Sequence, residues 1–265
     1  EIDQAIKDSS IIIFAIPSAF LKETLEGYKL SLENKFIISA IKGIIPKVNL
    51  TIAEFFNQFY QVPFSEMGIL TGPCHSEEIA LERLSYLTIA TKNPGHAQTI
   101  GKKLETRYLK TVLVDDIYGV EYASVLKNIF AIASGICHGL GYGDNFQSVL
   151  VANAFKEMQL FLEKTYPFDN RQVHSSAYLG DLLVTAYSNF SRNRTFGLMI
   201  GKGYSIKSAQ LGMSMIAEGY FAVPCIKEIN EKYKVNMPIT NMVYKVLYQN
   251  SDPAREIKML VENLV

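Results

Sequence analysis

The run Val112-Leu113-Val114-Asp115-Asp116-Ile117-Tyr118-Gly119-Val120-Glu121-Tyr122-Ala123-Ser124-Val125-Leu126-Lys127-Asn128 changes its period in the middle. Up to Val114 it is β-branched and apolar, as a strand covered on both faces requires. Beyond the paired aspartates the apolar residues recur at helical spacing with small residues between them. The same change divides the chain. Upstream, residues 10–16, 36–40, 67–70, 86–90 and 112–114 are short Ile- and Val-rich runs bounded by Pro, Gly or Asn, and they read as strands. Between them, residues 18–29, 51–60 and 95–108 carry helical spacing, so the pattern is βαβ and the sheet largely parallel. Downstream only helices are predicted, over 120–136, 146–164, 176–188, 193–201, 218–233 and 238–248. The fold expected is therefore α/β plus all-α: a partial Rossmann-type doubly wound domain over 1–115, then an all-helical domain over 116–265.

The composition limits what such a chain does. Its 265 residues include 26 basic and 26 acidic side chains, scattered along the sequence, which gives no footprint for nucleic acid or an anionic membrane. The longest strongly apolar stretch, residues 11–16, is far short of the ~20 residues of a membrane span, so no span is expected and the location expected is cytoplasmic. Cys74, Cys137 and Cys225 are an odd, widely spaced set with no zinc spacing, and they read as reduced thiols with no metal site. Residues 2–7 read as a helix fragment, and no G-x-G-x-x-G loop stands before Ile11. The expectation is a chain that lacks the first βαβ unit of its nucleotide domain and binds dinucleotide weakly or not at all.

Several residues can carry chemistry. On a helix, Lys127 shares a face with Val120, Ala123, Ser124, Ala131 and Ser134, small side chains that admit a ligand or another element. Its ammonium either snorkels to the helix edge or is desolvated, with a pKa lowered towards neutrality and fit to exchange a proton. Asp181 and Thr185 lie one turn apart, as a helix N-cap with a satisfied threonine or as part of a site. In the turn before residue 193, Ser191 or Asn193 can cap the next helix, and Arg192 can grip phosphate oxygens or remain an exposed basic residue. Lys42 follows a strand, at the carboxyl end where open α/β sheets place ligands. The loop Gly72-Pro73-Cys74-His75-Ser76 also follows a strand, and either loop can be a simple turn. His75 alone is weak, as are His96, His138 and His174.

Taken together these segments resemble the bacterial-type NAD(P)-dependent glycerol-3-phosphate dehydrogenases. The likeness is carried in order by Ile16-Pro17-Ser18, Ile41-Lys42-Gly43-Ile44, Gly72-Pro73, Gly119-Val120-Glu121, Leu126-Lys127-Asn128, Ala131 to Gly135, Gly139-Leu140, Gly143-Asp144-Asn145, Gly180-Asp181-Leu182, Ser191-Arg192-Asn193 and Glu218-Gly219. The resemblance implies hydride transfer between NAD or NADP and sn-glycerol 3-phosphate, giving dihydroxyacetone phosphate, in the service of phospholipid synthesis. It implies a 6-phosphogluconate-dehydrogenase-like helical domain, a homodimer, and Lys127 as proton acceptor, with Lys42 and Asp181 beside it. Matching positions make Lys42, Gly72, Cys74, Asn128, Asp181, Thr185, Ser191, Arg192 and Asn193 substrate-binding, and Lys42, Ser76, Arg192, Ile216 and Glu218 cofactor-binding. Cys74 stands where the family usually has a hydroxyl, a stronger hydrogen-bond partner than a thiol. Another hydroxyacid or ketopantoate-type dehydrogenase of the superfamily, and a non-catalytic relative, are the competing readings.

Overall fold

In a computed structural model of the chain, residues 2–28 and 31–264 are described. Five strands form one sheet in the order β1 (Ile11–Phe14), β2 (Phe36–Ser39), β3 (Met67–Thr71), β4 (Ser85–Thr91), β5 (Leu109–Val114). Neighbours are parallel except β3 and β4, where Ile69 faces Ala90 and Thr71 faces Thr88 in antiparallel register. That one reversal has a local cause. The β3–β4 connection holds a single five-residue helix, which rises about 7.5 Å, too little to carry the chain back along a strand of about 17 Å.

The helices of this half are α1 (Ile2–Asp8), α2 (Ser18–Leu25), α3 (Ile52–Tyr60), α4 (Ser76–Ala80) and α5 (Pro94–Leu104). Helix α2 is shorter than the expected 18–29, and Lys29 lies outside the described residues. The expected helix 95–108 stops at Leu104, because the Thr106 hydroxyl accepts from the amides of Tyr108 and Leu109 and turns the chain into β5. Alternate residues of β2 serve the two sheet faces. Ile37 joins the main core, while Phe36 and Ile38 join a smaller cluster with Leu70, Ile89 and Ile100.

The second half is α6 (Ile117–Gly139), α7 (Asp144–Thr165), a π-helical turn (Ser176–Gly180) leading into α8 (Asp181–Tyr187), then α9 (Arg192–Gly201), α10 (Ile206–Leu211), α11 (Glu218–Tyr233), α12 (Pro238–Tyr248) and α13 (Pro253–Val261). The single helix expected over 176–188 is thus two elements. Helices α10 and α13 were not anticipated, although Ser205 and Asp252 cap them through the amides of Ser208 and Arg255. One core runs through both halves, joining Phe55 and Ile37 to Leu126 and Phe196.

Helix α6 is the axis of the molecule. Asp116 caps it by accepting from Gly119 N at 2.9 Å, and Arg171 holds that carboxylate with two nitrogens. The reading of Lys127 on one stripe of small residues was too narrow, since almost every residue from Ile117 to Cys137 is buried on all sides. By length and composition α6 could cross a membrane, although no span was expected, but its most apolar window is wholly buried inside the protein. It approaches α9 backbone to backbone: a Cβ on Gly135 would strike Arg194 O, and one on Gly197 would strike Ile132 O.

Candidate active site

A cleft of about 310 Å³ opens where the carboxyl ends of β1, β2 and β3 meet α6, α8, α9 and α11. This is the position that open α/β sheets favour for ligands. It lies at the small end of the ordinary ligand-pocket range of about 300–1,000 Å³. Its floor is charged and nearly dry. Lys127, 4% exposed, forms an ion pair through Nζ with Oδ1 of Asp181, 1% exposed. Lys42 Nζ stands 3.6 Å from the other carboxylate oxygen and donates to the Gly72 carbonyl at 2.8 Å. Among the described residues the other hydrogen bond to the Asp181 carboxylate comes from the Thr71 hydroxyl at 3.4 Å.

Burial and charge act in opposition here. Burial brings the Lys127 ammonium down to about 7, opposed by the attraction of Asp181 and assisted by the repulsion of Lys42. Burial alone would raise the Asp181 carboxyl, but Lys127 and then Lys42 hold it below the usual carboxylate range. Asp181 therefore remains an anion while Lys127 is poised between its two forms. Burial pushes the Cys74 thiol up to about 11, so it is a neutral thiol, and its Sγ donates to Tyr86 O.

The expected residues divide by what their polar atoms already do. Asn128 donates to Lys42 O at 2.7 Å, leaving its amide oxygen for another partner. Thr185 donates to Asp181 O, so the threonine is satisfied by its own helix, whereas the Asp181 side chain caps nothing and faces the lysines. Ser191, rather than Asn193, caps α9 through Arg194 N. Asn193 accepts from Gly219 N at 2.9 Å, which leaves its amide donors. Among the described residues Arg192 makes no ion pair, and its Nη1 reaches only the Met215 sulfur at 3.7 Å. Ser76, Ile216 and Glu218 line the same cleft. Both Glu218 oxygens accept from Ser18, one from its amide at 2.9 Å and one from its hydroxyl at 2.5 Å, so this carboxylate ties α11 to α2 across the cleft.

Gly72 is not on the cleft wall; its contribution is the carbonyl that aims Lys42, and its φ of +99° explains the glycine. Sequence reasoning undervalued His75, which lines the cleft with a buried, unpartnered Nε2 and is held below its usual pKa by burial, Lys127 and Lys42. It also missed Phe190 and Met215, whose only signal was their nearness to Arg192 and Ile216. All three cysteines are free, and no cluster of three metal-ligating side chains occurs among the described residues.

Residues 1–97 match the family described as NAD-dependent glycerol-3-phosphate dehydrogenase N-terminus, and residues 116–258 match its C-terminus. A glycerol-3-phosphate dehydrogenase (NAD(P)+) of Clostridium botulinum is 32% identical over 261 residues, covering 98% of this chain and 78% of the relative. One of Chlorobium chlorochromatii is 33% identical over 251 residues, covering 94% and 75%. The crystal structure of glycerol-3-phosphate dehydrogenase from Coxiella burnetii superimposes with a TM-score of 0.90 at 26% identity, covering 99% of this chain and 80% of that one.

Proposed function

The chain belongs to the NAD-dependent glycerol-3-phosphate dehydrogenase family, and from that membership we propose how its cleft divides the work. The protein is an NAD(P)-dependent oxidoreductase that interconverts sn-glycerol 3-phosphate and dihydroxyacetone phosphate. The observation that carries the division of roles is the buried Lys127–Asp181–Lys42 floor facing the unpaired Arg192.

In the oxidative direction, neutral Lys127 takes the proton of the C2 hydroxyl as the C2 hydride departs; in the reductive direction the same ammonium returns a proton to the ketone oxygen. A lysine near pH 7 exchanges a proton in either direction at small cost, which is what a reversible reaction needs. Asp181 orients that amine and stabilises its charged form. Lys42, fixed by the Gly72 carbonyl, polarises the substrate oxygen from the strand side. Arg192, the amide donors of Asn193 and the amino end of α9 receive the phosphate, with Asn128 and Thr185 alongside. Cys74 contributes packing and a weak thiol contact.

The residues fit the nicotinamide half of NAD(P). Ile16, Pro17 and Ile216 offer apolar faces to a flat ring, and Arg192 and Ser76 supply donors at the rim. When bound, the cofactor accepts or gives the hydride. Glu218 acts by holding the two halves of the cleft together through Ser18. Residues 1–115 form the nucleotide side and 116–265 the substrate side. The protein acts in the cytoplasm as a homodimer, a reading supported by its free thiols and by exposed apolar side chains of the helical half such as Val149, Leu183 and Tyr187.

Arg192→Ala is expected to raise KM for dihydroxyacetone phosphate about 10- to 100-fold, the worth of a charge-assisted contact. An unchanged KM would reject the phosphate assignment and favour a ketopantoate-type substrate without that group.

A further inference from the structure

Beneath Asp181 lie two hydroxyls that no role assigned above uses. Thr71, the last residue of β3, and Ser124, one turn before Lys127 on α6, are fully buried. Their oxygens are 2.6 Å apart, and Thr71 Oγ1 is also 3.4 Å from Asp181 Oδ2. Proton bookkeeping fixes the direction of this chain. Each hydroxyl has one proton, and among the described residues Ser124 Oγ contacts only Thr71 while Thr71 Oγ1 contacts only Ser124 and Asp181. A carboxylate between two ammoniums is an acceptor only. Both protons are used in a single arrangement: Ser124 donates to Thr71, and Thr71 donates to Asp181.

We propose that Thr71 and Ser124 are positioning residues that hold the Asp181 carboxylate in its place against Lys127, through a two-hydroxyl relay from α6 to β3. The inference rests on the assignment of Lys127 as the proton-exchanging group and deepens it. Oδ2, held by Thr71 and facing Lys42, leaves Oδ1 for Lys127. A hydroxyl that donates to a carboxylate also draws off part of its charge, so the anion attracts the neighbouring ammonium less strongly. The relay therefore works with burial to keep Lys127 near neutrality. The other charged or titratable groups facing the pair are Lys42 after β2, Cys74 and His75 after β3, Glu77 on α4, Arg192 on α9 and Glu218 on α11. The variants below leave all of these in place.

The test is a pH titration of the protein labelled with 13C at the lysine ε-carbons, with the Lys127 signal assigned by its loss in Lys127→Met. Thr71→Val, close in shape but without the hydroxyl, is expected to move the Lys127 midpoint up by about 0.5 to 1 pH unit. Thr71→Ser is expected to leave it in place, and Ser124→Ala to move it up by less. In turnover, Thr71→Val should lose kcat for glycerol 3-phosphate oxidation by about three- to fivefold at pH 7 and recover it above pH 8.5, with KM within twofold. A midpoint unmoved in Thr71→Val, or a loss equal at all pH values and not rescued by Thr71→Ser, overturns the relay. Normal activity in Lys127→Met overturns instead the proton-exchange assignment, so the two failures are told apart.

Discussion

Two positions less than two turns apart on the buried stretch of α6 carry ionisable groups that burial treats alike and partners treat differently. Near its start, Glu121 accepts through Oε1 from the amides of Ile52 and Ala53 at the head of α3, with Oε2 buried and unpartnered; burial pushes it up to about 8. Further along, Lys127 is pulled down to about 7, and its partner Asp181 is held below the usual range. Desolvation drives every buried group towards its neutral form. A carboxylate whose donors are neutral amides and hydroxyls yields to it, whereas one facing two ammoniums does not. Glu157 repeats the first case: it caps α12 by accepting from the amides of Ile239 and Thr240 and from the Thr240 hydroxyl at 2.6 Å, and burial raises it to about 7. Glu121 and Glu157 hold their protons at helix heads, whereas Asp116, which caps α6 beside Arg171, and Asp181, which faces two lysines, are charged because cations adjoin them.

The sharpest way to break this contrast is Lys127→Met, expected to cut kcat by about 10²- to 10⁴-fold and, by leaving the buried Asp181 with Lys42 alone as counter-ion, to lower the thermal midpoint. A retained kcat would make Lys127 a buried structural group like Glu121. Next comes Asp181→Asn, which leaves Lys127 buried without its counter-ion. It is expected to lower the Lys127 titration below 7 and to destabilise the fold by about 3–5 kcal/mol, read by chemical denaturation. A variant as stable as the parent would mean that Asp181 does not hold the ammonium.

The smallest expected effect is at Glu121. A carboxyl that binds its proton more tightly folded than unfolded adds stability that is complete below about pH 4.5 and is lost as pH rises through about 8. Glu121→Gln is neutral at every pH, so the fall in thermal midpoint between pH 5 and pH 8.5 should flatten by a few degrees. Glu157→Gln should flatten it in the same sense, over a window ending near pH 7. An unaltered slope in both would mean that these carboxylates are ionised when folded.

Much of the fold was legible because its signals are local. The strand runs and the change of period at Asp115-Asp116 stand within a few residues of what they fix, the second because Asp116 caps α6. The missed pieces have equally particular reasons. Helix α10 has only six residues and little period to read, and the β3–β4 reversal turns on how far a five-residue helix can carry the chain. At the site, the residue types were readable one at a time, yet Lys127 could equally have snorkelled, Arg192 could have been surface, and His75 gave no signal until its loop closed over the cleft.

The sequence by itself determined where strands give way to helices, since that follows from spacing along the chain. Only the tertiary structure decided which buried charge meets which partner. Lys127 meets Asp181, and both meet Lys42, because α6, α8 and the β2 loop converge on one cleft, with glycine contacts letting α9 close against α6. In a dry interior, the protonation state belongs to that convergence rather than to the residue.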